Sequence, residues 1–329
     1  MLAPPGTGVS PASGSLTYSV IIAAYQAAAF IGDAIESALA QTLTPQEIIV
    51  CDDGSTDPLD AALAPYLDRI TLIRKENGGE ASAKNAAARA ASGEFVAILD
   101  ADDVYYPERL EALAELSSRR PDLDVVTTDC YVVADGRVVR KCYTGDYRFE
   151  SGDQRRGILQ RNFLGPGHMA VRREALLAVG GFDEGFRHAT DWDCWIRMIL
   201  AGSRAGMIDE PLAEYRVRRT SLASDRLRQF DGYVAVLEKA VRRSDLSAEE
   251  RNTVTRSLAM QRRRRMLGEA EAALRERRPD ARRLALGIAL GHGFRLRERA
   301  KGAMAAAFPG LAGKRLRDAG PEFAGGVRG

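Results

Sequence analysis

Three carboxylates, Asp100, Asp102 and Asp103, follow directly on the apolar run Phe95-Val96-Ala97-Ile98-Leu99. A short run of this kind reads as a strand buried on both faces of a parallel sheet, which presents the acids rigidly at its C-terminal end. Acids held so close repel one another unless a cation sits among them, and hard oxygen ligands suit Mg²⁺ or Mn²⁺. Taken alone, the same residues read as a solvated acidic turn ahead of a helix, with Pro107 suited to the first helical turn. A second acidic turn, Asp52-Asp53-Gly54-Ser55-Thr56-Asp57, follows the apolar stretch Glu47-Ile48-Ile49-Val50-Cys51. Tyr25 ends a third stretch, Tyr18-Ser19-Val20-Ile21-Ile22-Ala23-Ala24.

The elements that must position these residues alternate in type. Ile31, Ile35, Ala38 and Leu39 recur at helical spacing after the first strand. Ile70–Ile73 reads as another short strand, and Asn77-Gly78-Gly79 as a turn before an Ala-rich helix from Glu80 to Ala91. Such alternation predicts an α/β fold with a mostly parallel, doubly wound sheet. Ligands bind such sheets at the carboxyl ends of the strands, so Tyr25, Asp52, Asp53 and Asp100 to Asp103 are expected to share one rim. That convergence favours the metal reading over the solvated turn. No Gly-x-Gly-x-x-Gly follows the first strand, which excludes dinucleotide-dependent hydride transfer. From Asp122 the pattern changes: Val125–Thr128, Tyr131–Val133 and Val138–Val139 are strand-like, with Asp135-Gly136 as a hairpin turn. Gly180-Gly181 ends a short helix, Asp191-Trp192-Asp193 opens another, and Pro211–Val217 closes the region as a strand.

The net charge of +2 conceals an asymmetry. Lys and Arg number 23 against 32 Asp and Glu in residues 1–220, but 24 against 13 in residues 221–329. An acidic body thus carries a basic tail, and the two are expected to meet different partners. Cys51, Cys130, Cys142 and Cys194 show no Cys-x-x-Cys pairing and read as reduced thiols. Residues 1–16, rich in Pro, Gly, Ser and Ala, are expected to form a disordered leader rather than a signal peptide. No apolar run approaches the ~18 residues of a membrane span, so a cytoplasmic location is expected.

These motifs together resemble a family 2 glycosyltransferase with the glycosyltransferase type A fold, over residues 18–224. The matching pieces are the Tyr25 strand end, Asp52-Asp53-Gly54-Ser55-Thr56-Asp57, Asn77-x-Gly79 with Ala83-Lys84-Asn85, Asp100-Ala101-Asp102-Asp103, Gly180-Gly181-Phe182-Asp183 and Asp191-Trp192-Asp193. The resemblance implies that Asp52 recognises the nucleotide base with Tyr25 stacking on it or lining its pocket, and that Ala23, Asp53, Lys84, Asp100 and Arg218 belong to the nucleotide side, Asp53 with a structural role as the alternative. It implies Mg²⁺ or Mn²⁺ on Asp102, with Asp103 as the alternative or companion ligand, and Asp191 as the general base of an inverting displacement. It places His168 where acceptor or donor contact is open, though a lone loop histidine is more often incidental, and His188 and Trp192 toward the acceptor, with Trp192 read as either core or pocket wall. Three positions depart from the family pattern: Lys84 replaces an Arg, Arg218 replaces a His, and Thr190 replaces a Glu beside Asp191. The last change removes a negative neighbour and is expected to lower the pKa of Asp191.

The implied organisation is a catalytic domain at 17–224 and a basic helical region at 225–329. That region reads either as a helical cap with solvated arginines or as a basic amphipathic surface on anionic lipid, at the inner face of a membrane. Aromatic residues are scarce among its arginines, which argues against nucleic acid. The implied activity is transfer of a sugar from a nucleotide-diphosphate sugar, UDP- or dTDP-type, to a glycan or lipid-linked acceptor in cell-surface polysaccharide or glycolipid synthesis. The competing reading is a non-catalytic sugar-nucleotide-binding or membrane-surface protein on the same fold.

Overall fold

The computed structural model describes residues 16–145, 147–165, 168–217 and 226–318. Arg218, most of the expected leader and the expected boundary at 224/225 lie outside these residues. Four parallel strands, β1 (Tyr18–Ala24), β2 (Glu47–Asp52), β3 (Thr71–Arg74) and β4 (Phe95–Ile98), pair in the order β3-β2-β1-β4. Val20, Ile21 and Ile22 of β1 are buried, as are Phe95 to Ile98 of β4, because helices cover both sheet faces. Helix α1 (Ile31–Leu39) turns Ile31, Ala34, Ile35 and Ala38 inward. After the short α2 (Leu59–Leu63), α3 (Glu80–Ala90) lies against β1 and β2 through Ala81, Ala83, Ala87 and Ala88. Small side chains let its backbone come close to the sheet.

The sheet continues as β4-β8-β6-β9-β5, with mixed directions. Here β5 is Val104–Tyr105, β6 Val125–Ala134, β7 Arg137–Lys141, β8 Ala170–Arg172 and β9 Ala205–Val217. Strand β8 is antiparallel to β4 and β6, whereas β9 is parallel to β6. The two predicted strands at 125–128 and 131–133 are one strand with a register irregularity around Asp129. The buried Asp129 carboxylate accepts the N–H groups of Cys130 and Tyr143 at 2.7 and 3.1 Å, which local pairing would otherwise have to satisfy. Asp135 and Gly136, both at positive φ, make the expected tight turn into β7.

Around this sheet pack α4 (Arg109–Arg119), α5 (Gln154–Gln160), α6 (Arg173–Ala178) and α7 (Thr190–Leu200). The C-terminal region supplies α8 (Arg226–Val241), α9 (Ala248–Arg275), α10 (Ala281–Leu290), α11 (Leu296–Ala307) and α12 (Pro309–Asp318). Val236, Leu237 and Ala240 of α8, with Val254 and Leu258 of α9, share the core of Trp192 and Trp195. Lys239 bridges Asp183 and Asp193, each at 2.7 Å, and Arg155 pairs with Glu250 at 2.7 Å. The helices from 226 to about Leu258 are therefore built into the catalytic body. The end of α9 and α10 to α12 close a small core of their own, including Ala273, Ala285 and Ala306. Among the described residues, no helix is long and apolar enough to cross a membrane.

Candidate active site

The rim forms where β1, β2 and β4 end side by side, with Ala24 paired to Asp52 and Ile21 to Ile98. Ala23 is half-buried within β1, and Tyr25 leaves that strand with its side chain 54% exposed, open to a flat partner. Gln26, at φ 52°, ties this strand end to the acidic turn: its Oε1 accepts the N–H groups of Thr56 and Asp57 at 2.9 and 3.0 Å. Asp52 Oδ1 accepts the Ser55 N–H at 2.8 Å, and no described donor reaches Oδ2. Gly54 is required at φ 78°, since a Cβ there would stand 2.9 Å from Asn77 N.

Asp53 does other work than the nucleotide contact expected of it. Its carboxylate accepts from Lys75 Nζ at 2.7 Å, Gly78 N–H at 3.0 Å and Gly79 N–H at 2.7 Å. It thereby fixes the loop that enters α3 and places negative charge at that helix's N-terminus. Buried and triply bonded, it is closed to a ligand.

Lys84 is likewise neither solvated nor extended to a ligand. Its ammonium is buried between Glu80 Oε1 at 2.5 Å and Asp100 Oδ1 at 2.8 Å, with Phe182 beneath it. Burial alone would lower the Lys84 pKa, and the two carboxylates raise it instead. Asp100 shows the complement: burial would raise its pKa, but Lys84 holds it below the usual 3.8. Asn85 clamps the neighbouring turn, donating to Phe182 O at 2.8 Å and accepting the Phe182 N–H at 2.8 Å.

Asp103 turns inward and not toward a metal. It shares a 2.6 Å hydrogen bond with His168 Nε2, and its other oxygen accepts the Arg216 N–H at 2.8 Å. His168 is only 2% exposed, so it lies beneath the rim and not on the acceptor side. Tyr105 and Tyr215 flank its ring, and buried Arg109 donates to its carbonyl. Burial pushes the Asp103 pKa up against the pull of His168. Asp102 is half-buried in the same turn. Among the described residues, no three His, Cys, Asp or Glu side chains converge as a metal cage. One or two carboxylates at a strand end are compatible with a hard divalent cation that completes its shell with substrate phosphates and water.

Asp191 sits in the first turn of α7, behind Ala189 at φ 57°, a left-handed conformation unusual for a residue with a Cβ. Asn162 Nδ2 donates to Asp191 Oδ2 at 2.8 Å, and among the described residues no cation is ion-paired with it. Its pKa is raised rather than lowered: burial dominates, Glu80 adds to it, and the Trp192 N–H, Lys84 and Asn162 oppose it. The loss of the acidic neighbour at Thr190 is thus outweighed by desolvation. Glu80 and Lys84, the latter paired with Asp100, both act electrostatically on Asp191. Trp192 turns into the core. Its indole is 2% exposed, donates to Ile158 O at 2.8 Å and meets Tyr233 edge-on, so it is core and not acceptor wall. His188 is half-buried, and its backbone lies under Gly232 of α8. Sequence reasoning passed over Asn162 and Arg187. Arg187 is exposed and brings its guanidinium beside Gly79 at the start of α3.

The Glycosyl transferase family 2 profile matches residues 19–180. An uncharacterized glycosyltransferase of Rickettsia prowazekii is 30% identical over 218 residues, 65% of this chain and 68% of the relative. The chain belongs to glycosyltransferase family 2. The family's fold extends across nearly the whole structure. S. aureus TarS 1–349 in complex with UDP-GlcNAc superposes with a TM-score of 0.60 at 18% identity, covering 92% of each chain. A Pyrobaculum calidifontis mannosyltransferase in complex with GDP-Man and Mn²⁺ gives 0.58 at 22% identity, covering 92% of this chain and 83% of that one. At these identities the likeness shows the glycosyltransferase type A architecture.

Proposed function

We propose that this glycosyltransferase moves a sugar from a UDP- or dTDP-type donor to a hydroxyl of a glycan or lipid-linked acceptor, with inversion, in cell-surface polysaccharide or glycolipid assembly. The observation that carries the reading is the Asp191 carboxylate, oriented by Asn162, made more basic by burial and within electrostatic reach of Glu80 and Lys84. Such a group takes the acceptor proton while the hydroxyl oxygen bonds to the anomeric carbon. The bond from that carbon to the diphosphate oxygen breaks, and the diphosphate leaves with the electron pair. Tyr25 stacks on the base, and Asp52 Oδ2 accepts an imide N–H of uracil or thymine. Arg187 lends positive charge on the diphosphate side. The bound UDP-GlcNAc and GDP-Man of the comparison structures support a nucleoside-diphosphate donor, and the Mn²⁺ of one supports a divalent cation. Asp102 would hold that Mg²⁺ or Mn²⁺ against the donor phosphates, where the ion supplies charge neutralisation for the leaving group.

The test is Asp191→Asn, which preserves size and the contact to Asn162. Turnover is expected to fall about 10²- to 10⁴-fold, the usual contribution of a general base, with donor affinity unchanged. A variant that turns over at the wild-type rate would remove Asp191 from the chemistry.

A further inference from the structure

The basic tail divides into two sets of cations with opposite surroundings. Arg262, Arg263 and Arg265 of the four-arginine run are held internally, by Glu238 at 2.6 Å, Glu298 at 3.8 Å and Asp231 respectively. Residues 281–317 differ: they contain nine Lys or Arg and one acid, Glu298. That acid is engaged by the Arg295 N–H at 2.8 Å and by Arg263. Arg282, Arg283, Arg297, Lys301, Lys314 and Arg315 are exposed, and none forms a salt bridge with a described carboxylate.

The exposed apolar side chains concentrate in the same helices. Leu286 (48% exposed), Leu290 (65%), Leu296 (82%), Met304 (62%), Phe308 (63%) and Leu311 (63%) all fall in or between α10, α11 and α12. On α11, Leu296 and Met304 are two helical repeats apart and so share a face, with Arg297 and Lys301 alongside. The opposite face of α11 is the packed one, where Gly302 lies against the backbone of Ala285 and Ala289 in α10. The apolar stripe and its cations therefore point away from the molecule. Exposed apolar side chains gathered in one set of helices in this way mark a candidate interaction site.

We propose that α10 to α12 form a docking surface for an anionic lipid bilayer. The charge pattern selects this occupant. Unpaired cations flanking aliphatic side chains match lipid phosphates above acyl chains, the arrangement of an interfacial amphipathic helix. Nucleic acid would favour stacking aromatics, and Phe308 is the one exposed aromatic ring among the described residues of these helices. The excess of acids in residues 1–220 repels the same surface, so the tail alone sets the orientation of the body. This surface does not depend on the glycosyl-transfer reading, and it can be tested without a substrate.

The test is co-sedimentation of the full chain with vesicles of phosphatidylcholine alone or mixed with phosphatidylglycerol. Binding is expected only to the mixed vesicles, and it weakens as salt rises. Removing two cations with Arg297→Gln and Lys301→Gln should weaken binding about thirtyfold. Leu296→Asp with Met304→Asp should abolish it, with an unchanged thermal transition showing that these exposed positions leave the fold intact. Arg262→Gln, which removes an internally paired cation, should leave binding as it was. The proposal is overturned if the wild-type chain ignores anionic vesicles, or if the Leu296/Met304 variant binds like wild type. A dimer in light scattering that the same substitutions dissolve, without vesicle binding, would overturn it in favour of a second copy on this face.

Discussion

Replacing Lys84 with Met should destabilise the protein strongly at neutral pH and much less in acid. The ammonium is 2.8 Å from Asp100 Oδ1, which at an effective dielectric constant of about 20 is worth about 6 kcal/mol of Coulomb attraction. Desolvation of both charges offsets much of this, so the intact pair contributes little net. Removing one partner is different, because Asp100 is left uncompensated at a cost of about 3–5 kcal/mol. Glu80, with 36% of its side chain exposed, is screened by water and adds little, which places the loss near the lower end. Methionine keeps most of the volume of the lysine stem while removing the ammonium, so the loss reports mainly on charge. A melting point lower by about 4–6 °C follows for a chain of this size. The pH dependence gives the sign. In the wild type the Asp100 pKa is held below 3.8, so its contribution is present above the unfolded value and lost as pH falls through the folded one. In the variant burial is opposed only by the smaller pull of His168 and lifts that pKa, so the penalty is largest at neutral pH and shrinks as Asp100 takes up a proton. Calorimetric melting at neutral pH and near the carboxylate range would show the gap between wild type and variant closing. A loss below about 1 kcal/mol, or one equal at both pH values, would refute the account of a buried, charge-dependent pair.

Tyr25→Ala should weaken nucleotide binding by about 1–3 kcal/mol in calorimetry, the usual worth of one base–aromatic stack, with no change in melting because the ring is exposed. Gly181→Ala should destabilise by about 2–4 kcal/mol in denaturant titration, since position 181 has φ 70° and a Cβ there would lie 2.4 Å from Asn85 Oδ1. The acid limb of kcat/KM should fall above the ordinary carboxylate value of 3.8, because Asp191 must be deprotonated to accept a proton and its pKa is raised. A rate that is flat through that range would deny Asp191 the role of base.

The parallel half of the sheet was legible because burial on both faces leaves continuous apolar runs, such as Val20 to Ile22 and Phe95 to Ile98. The turn at Asp135-Gly136 was legible for a local reason, since both residues accept positive φ. The strand order β4-β8-β6-β9-β5 left no comparable trace, because it depends on pairings between distant segments. The site divided along the same line. Tyr25, Asp52 and Asp102 lie at or just beyond the strand ends where the alternating pattern puts them. The fates of Asp53, Lys84 and Asp103 were set by partners elsewhere: the Gly78 and Gly79 N–H groups, Asp100, and His168 65 residues away. Residue type shows that a carboxylate can bind a ligand, but not that the fold has already supplied one. Asn162 was missed because its link to Asp191 spans 29 residues with no helical or strand period. The arginine run at 262–265 is the densest basic stretch of the sequence, yet the structure pairs three of its members and leaves the unpaired cations downstream.

The most direct test of the central claim is calorimetric titration of the intact chain with UDP, dTDP, GDP and CMP, each in Mn²⁺ and again in EDTA. Binding of one nucleotide diphosphate in Mn²⁺ that falls away in EDTA is the predicted result, and it would narrow the donor to that nucleotide's conjugates. Absence of binding by every nucleotide in both conditions would contradict the claim that the rim of Tyr25, Asp52 and Asp102 is a donor site.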